Sequence, residues 1–192
     1  MTKRVVDKFF LYYNICMFTD PVKNLKAFDL RENMIVADLG AGSGFYTIPV
    51  AKMVPLGKVY AIEIQKDFLT TINNKAKEAH LNNIECLLGD VEKIGGTKIK
   101  DKIVDAVIAS NIFFQVGDKD KFIEEAKRIL KIGSKLLLID WSDSSSGIGS
   151  SFDKIIPKNI AREMFEKKGF TWQRDIDAGA HHYGIILMKI NE

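Results

Sequence analysis

The sequence predicts an α/β fold: a doubly wound, mostly parallel sheet with helices on both faces and an antiparallel last strand. Three observations predict it. Strand and helix signals alternate regularly after residue 33. The apolar run from Met34 to Leu39 ends in a glycine turn, Gly40-Ala41-Gly42-Ser43-Gly44, which leads into a helical pattern. Near the end, two strand-like runs are separated only by Asp177-Ala178-Gly179-Ala180. Strands joined that closely must pair antiparallel, because a parallel crossover needs a dozen or more residues.

The elements follow in order. Strands are expected near 34–39, 58–63, 84–88, 103–109 and 134–140, with helices near 45–54, 66–80 and 119–131. In the helix at 66–80, the apolar residues Phe68, Leu69, Ile72, Ala76 and Ala79 recur close to helical spacing. Asn82-Asn83 supplies the turn before the third strand. A helix over 158–168 stops at Gly169, and strands follow at 170–176 and 182–190.

One domain over residues 1–192 is expected, with 1–30 as a helical lid or packing appendage and 31–192 as the ligand-binding core. Val5, Val6, Phe9, Phe10 and Tyr13 share a helical face, and Pro21 opens a second helix after Asp20. The segment Ser142 to Ser151, rich in Ser and Gly, reads as a loop at the rim of the sheet, either a lid or a plain connector.

Lys and Arg number 28 against 25 Asp and Glu, a net charge of +3. That is no dedicated nucleic-acid footprint, so a small-molecule partner is favoured over RNA or DNA. Two cysteines, Cys16 and Cys86, make no disulfide framework, and a reducing, cytoplasmic setting is the expectation. No apolar run reaches the roughly 20 residues that span a bilayer.

The glycine turn is the informative motif. Its spacing is G-x-G-x-G, and Phe45 stands where a dinucleotide fold has its third glycine. Asp38, just before the turn, argues against a site built to hold phosphate. Glu63 closes the second strand, 19 residues after Gly44, where a carboxylate can accept bonds from two ribose hydroxyls. An NAD-dependent oxidoreductase is therefore disfavoured.

With these residues in view, the segment 36–47 resembles the cofactor loop of the class I S-adenosylmethionine (SAM)-dependent methyltransferases, in their quinone-type, small-molecule branch. Leu87-Leu88-Gly89-Asp90-Val91 resembles the third-strand segment, Val104 to Asn111 the fourth strand, and Arg128 to Ile139 the helix, turn and fifth strand. Ile132-Gly133-Ser134 stands where that branch usually has Pro-Gly-Gly. The resemblance implies a Rossmann-like sheet of seven strands, the seventh inserted antiparallel between the fifth and sixth. It implies SAM as cofactor and S-adenosylhomocysteine (SAH) as product. Gly40, Gly42 and Gly44 would touch the cofactor. Asp38 would fix the loop or meet the cofactor's ammonium group through water. Asp90 would meet the adenine amino group, with Val91 offering an amide to the ring; the alternative for Asp90 is to cap the following turn. Ser110 and Asn111 would lie beside the reactive methyl, unless Asn111 caps the loop.

Candidate catalytic residues come from topology. Asp140 ends the fifth strand, and an antiparallel seventh strand brings His181 and His182 to the same edge. One histidine of this pair can face each side of the strand. Either is the natural base near neutral pH; otherwise the pair closes the hairpin by a structural hydrogen bond. No metal is expected. Phe113, Phe114, Trp141 and Phe152 are candidates for an apolar acceptor pocket, or ordinary core. Ser110-Asn111-Ile112-Phe113 lacks the Asn/Asp-Pro-Pro-Tyr/Phe pattern of amine methylation, and arsenite chemistry needs more thiols than two. The expected activity is methyl transfer from SAM to a small, partly apolar acceptor at oxygen or carbon. RNA or protein methylation and a non-catalytic SAM-binding module are the alternatives.

Overall fold

A computed structural model describes residues 19–142 and 155–191. The expected helix through Val5–Tyr13, Cys16, Phe152 and most of the 142–151 loop lie outside the described residues. The strands are β1 (Ile35–Leu39), β2 (Lys58–Glu63), β3 (Ile84–Leu88), β4 (Val104–Ser110), β5 (Leu130–Trp141), β6 (Phe170–Ile176) and β7 (His182–Lys189). The helices are α1 (Pro21–Phe28), α2 (Thr47–Met53), α3 (Lys66–Glu78), α4 (Lys119–Ile129) and α5 (Lys158–Lys167).

The strands form one seven-stranded sheet in the order β3-β2-β1-β4-β5-β7-β6. β1 to β5 run parallel, and β7 pairs antiparallel with both β5 and β6. The seventh strand thus sits between the fifth and sixth, as expected. The central strands are buried on both faces and read as continuous apolar runs for that reason. One face packs Leu136, Leu138, Ile185 and Leu187 under Phe122 of α4 and Phe165 of α5. The other packs Val36, Ile108, Ile139 and Ile186 under Leu25 and Phe28 of α1 and Val50 of α2.

Local chemistry sets the helix ends. Asp20 accepts the amides of Val22 and Lys23 ahead of α1, and Asp118 accepts that of Lys121 at α4. The boundary after α4 differs from the expected one. The helix stops at Ile129 and β5 already begins at Leu130, which pairs with Val104. The chain then leaves the ladder through Gly133, at φ +77°, and pairing resumes at Lys135 with Ala106. The cause is tertiary. Ile129 and Leu130 are fully buried, and the buried Lys189 ammonium donates to the carbonyls of Lys127 and Leu130, taking up the helix's last acceptors. Among the described residues no helix is long and apolar enough to cross a membrane.

Candidate functional site

The sheet order reverses between β1 and β4, which places a crevice at their carboxyl ends. A cavity of about 240 Å³ opens there. Its described walls are Asp38, Gly40 to Ser43, Phe45 and Tyr46, Glu63 to Gln65, Phe68, and Ser110 to Ile112 with Gln115.

The three glycines all have positive φ but do different jobs. A Cβ at Gly40 would stand 2.7 Å from Ile112 Cγ1, and one at Gly44 would stand 3.0 Å from Ile72 Cγ1. Those two glycines let the protein pack on itself. A Cβ at Gly42 would meet none of the described residues within 4 Å, so among them the backbone borders open space that a ligand can approach. The Gly42 amide donates to Glu63 Oε2 at 3.0 Å.

Glu63 is buried, and both oxygens have defined partners. Oε1 accepts the amides of Ile64 (2.9 Å) and Gln65 (3.0 Å), just ahead of α3. A carboxylate offers about four acceptor positions, so capacity remains toward the cavity. Asp38 is buried as well and accepts the Thr47 hydroxyl at 2.6 Å. Burial pushes its pKa up to about 7; the Thr47 bond opposes that rise and the nearby Glu63 charge adds to it.

Ser110 and Asn111 line the cavity where β4 ends. Asn111 adopts φ +54° and its amide donates to Ile139 O, so it turns the chain out of the sheet. Asp90 and Val91 do not line the cavity. Asp90 accepts the Glu92 amide at 3.0 Å and pairs with Lys93 at 3.0 Å, which hold its carboxyl below the usual range. Val91 packs against the core.

The structure separates Asp140 from His182. Asp140 pairs with Tyr183 across the strands, and Trp141 pairs with His182. Side chains alternate along a strand. Tyr183 belongs to the cluster beneath α4 and α5, so Asp140 shares that face; Trp141 and His182 share the opposite one with Ile139 and Ile186. Asp140 accepts the amides of Phe114 and Trp141, both at 2.9 Å. Burial pushes its pKa to about 7 despite those bonds, and burial with the adjacent Asp140 raises Tyr183.

His182 lies behind the cavity wall rather than in it. Nδ1 faces Ala180 O at 3.0 Å, Nε2 faces Asn111 Oδ1 at 3.0 Å, and the ring lies 4.2 Å from that of Trp141. Burial pushes its pKa below the ordinary value. His181, at φ +63°, forms the hairpin corner and its carbonyl accepts the Ser142 amide. Of the aromatics, Phe113 is core, packed on Phe122 and Phe165.

Several lining residues carried no legible signal. Phe68 shares the apolar spacing of its helix yet borders the cavity, and Gln65 and Gln115 sit in unremarkable contexts. Tyr46, two residues past the last glycine, is buried against the cavity. Its hydroxyl accepts from Asn24 Nδ2 at 2.9 Å and also faces Ser110. Ser43 Oγ, in the same wall, is buried with no partner among the described residues. Among the described residues no group of three His, Cys, Asp or Glu side chains is placed to hold a metal ion.

Known proteins share this geometry. The profile of a family described as a methyltransferase domain matches residues 30–181. A crystal structure of a SAM dependent methyltransferase from Aquifex aeolicus superposes with a TM-score of 0.81 at 32% identity, covering 90% of this chain and 91% of that one. Human arsenite methyltransferase is 30% identical over 117 residues, 57% of this chain and 31% of its own length. The ubiquinone/menaquinone biosynthesis C-methyltransferase UbiE of Pasteurella multocida is 29% identical over 115 residues, 59% of this chain and 42% of its own. The chain thus spans less than half the length of these two curated relatives.

Proposed function

The chain belongs to the methyltransferase-domain family as a SAM-dependent methyltransferase, and we propose that it methylates a small, partly apolar acceptor at oxygen or carbon. The observation that carries this is the pairing of Glu63 with the open Gly42. A buried carboxylate, oriented by three amides, keeps acceptor capacity beside the one loop glycine whose missing Cβ leaves room for a ligand. The Ser43 hydroxyl, unpartnered among the described residues, fits a polar guest in the same wall, because buried polar atoms rarely go unsatisfied.

In this reading Gly40, Gly42 and Gly44 shape the loop, Glu63 takes the ribose hydroxyls, and Asp38 with Ser110 and Asn111 borders the reactive end. Bound SAM supplies a methyl group already activated by the sulfonium charge. What remains for the protein is to orient the two partners and exclude water. Phe45, Tyr46, Phe68 and Ile112 form apolar wall for that purpose.

Two features support a small acceptor. Among the described residues no Lys or Arg lines the cavity, whereas a nucleic acid needs cations along its path. Asp140 and His182 are both engaged inside the protein, so neither is assigned as a base. The acceptor then brings its own reactivity, as an acidic phenol or an enolisable carbon does. The human relative is named for arsenite; a thiophilic acceptor calls for a thiol cluster, and this chain has two cysteines.

Calorimetric titration with SAM, SAH and NAD tests the cofactor, followed by methyl transfer to a panel of phenols and enolisable ketones. Micromolar binding of both adenosyl ligands, no NAD binding, and transfer to a panel member are expected. Binding of NAD alone overturns the cofactor assignment. Adenosyl binding with transfer only to RNA or protein overturns the acceptor class, and adenosyl binding with no transfer to any acceptor identifies a binding module.

A further inference from the structure

A polar chain runs from the β7 hairpin to the cavity wall. It begins at Ala180 O, 3.0 Å from His182 Nδ1, and passes through Nε2 to the Asn111 side chain at 3.0 Å. The Asn111 amide reaches Ser110 Oγ at 3.3 Å, and Ser110 faces the Tyr46 hydroxyl. Asn111, Ser110 and Tyr46 line the cavity, and His182 stands behind them, 7% exposed.

The direction of these bonds depends on one proton. A carbonyl oxygen only accepts, so His182 Nδ1 must carry hydrogen. In the neutral ring Nε2 is then a lone pair and needs a donor. Asn111 meets that need by turning Nδ2 toward the ring, which points Oδ1 at Ser110 and draws in the hydroxyl proton. In the imidazolium ring Nε2 donates instead. Asn111 then turns Oδ1 toward His182 and Nδ2 toward Ser110, which frees the hydroxyl proton. One set of heavy-atom positions serves both states, because the two ends of an amide have the same shape.

We propose that His182 is a positioning residue that sets, through Asn111, whether Ser110 presents a lone pair or a proton to the cavity. The idea rests on the SAM reading above. Neutral His182 leaves oxygen lone pairs beside the ligand, which suits a positive sulfonium. Protonated His182 turns out a hydroxyl proton and adds a buried positive charge, which opposes it. SAM should therefore lose affinity in acid, while SAH, whose sulfur is neutral, should lose less.

The surroundings favour the neutral form near pH 7. Burial lowers the proton affinity of His182, and His181 pushes the same way. From β5 the ring meets Trp141, which carries no charge, while Asp140 points to the other face of the sheet. From β4 it meets Asn111, and Tyr46 is reached only through Ser110. Asp38 borders the same cavity and titrates near pH 7 on its own account, so a test must separate the two.

Two measurements do so. Nitrogen-15 imidazole spectra of the intact protein at pH 7.5 should show His182 as the Nδ1-protonated tautomer, with an unprotonated Nε2. An Nε2-protonated tautomer overturns the proposal, and this reading needs no variant to fold. Dissociation constants for SAM and SAH are then compared from pH 8 to pH 5.5 in the native protein and in His182→Gln, which hydrogen-bonds without titrating. The SAM-to-SAH preference should fall several-fold toward the acid end in the native protein, the lowered proton affinity of His182 keeping the fall under about tenfold, and by less in the variant. Asp38 titrates in both proteins, so its share cancels in the comparison. Superimposable curves overturn the role of His182. Absence of adenosyl binding at every pH overturns the SAM reading itself, a result distinct from curves that merely coincide.

Discussion

At the β1–β2 end of the sheet, polar groups keep capacity aimed at a cavity; at the β5–β7 end, they commit it to their neighbours. Glu63 holds three amides and still faces open space beside Gly42. Asp140 is buried too, but it lies outside the cavity lining, with its oxygens on the amides of Phe114 and Trp141, and His182, also outside that lining, has both ring nitrogens engaged. The two ends carry the same kinds of residue at the same carboxyl edge. What differs is the backbone around them. The glycine loop leaves a gap, whereas the antiparallel insertion of β7 fills the space next to β5. A titratable side chain at a sheet edge is thus a site candidate only where the packing leaves it a ligand-facing lone pair.

Substitutions at the two ends should fail in different ways. The largest effect is expected at the filled end. Trp141→Ala removes a ring buried against His182 and should lower the unfolding free energy by about 3–5 kcal/mol in denaturant titration. SAM affinity of the molecules that remain folded should change only a few-fold. A cofactor loss exceeding a hundredfold without destabilisation would move Trp141 into the binding site and erase the contrast.

At the open end the order reverses. Glu63→Gln removes the charge and turns an NH2 toward a backbone amide that needs an acceptor, so it should weaken SAM binding by about tenfold to a hundredfold while lowering the unfolding free energy by only about 1–3 kcal/mol, less than Trp141→Ala. Unchanged affinity would leave Glu63 as no more than the amide holder ahead of α3.

The smallest signal is a proton. The pKa of Asp38 is about 7 in the folded chain, above the 3.8 of a free carboxyl. The folded state therefore holds this proton more tightly than the unfolded one. The cost of ionising Asp38 is absent below about pH 4, grows as the pH rises, and is complete above about 7. A cationic ligand beside Asp38 favours its charged form, so SAM binding at pH 7 should release a fraction of a proton. Binding enthalpies in buffers of different ionisation heat would read that fraction, and Asp38→Asn should abolish it. Persistence of the release in the variant would assign the proton to another group.

Much of this was legible because it is local. Periodicity marked nearly every element, since a strand alternates and a helix repeats within a few residues of itself. The short turn at 177–180 required an antiparallel pair, and β6 and β7 form one. The acid-glycine-acid pattern of Asp38, the loop and Glu63 was readable because those residues lie on two consecutive strands, and the fold sets them around one cavity.

Contacts between distant segments were not legible. Tyr46 meets Asn24 from α1, and Phe68, whose spacing marked only an apolar helix position, lines the cavity. The end of α4 was decided by Lys189, 60 residues away along the chain. Asp140 and His182 lie one step apart in the β5–β7 register, and that single step sends their side chains to opposite faces. The sequence by itself therefore determined the element order, the antiparallel finish and the glycine loop with its flanking acids, because short-range sterics and periodicity encode them. Only the tertiary structure decided which polar groups stay open to a ligand, because that depends on what the rest of the chain packs against each one.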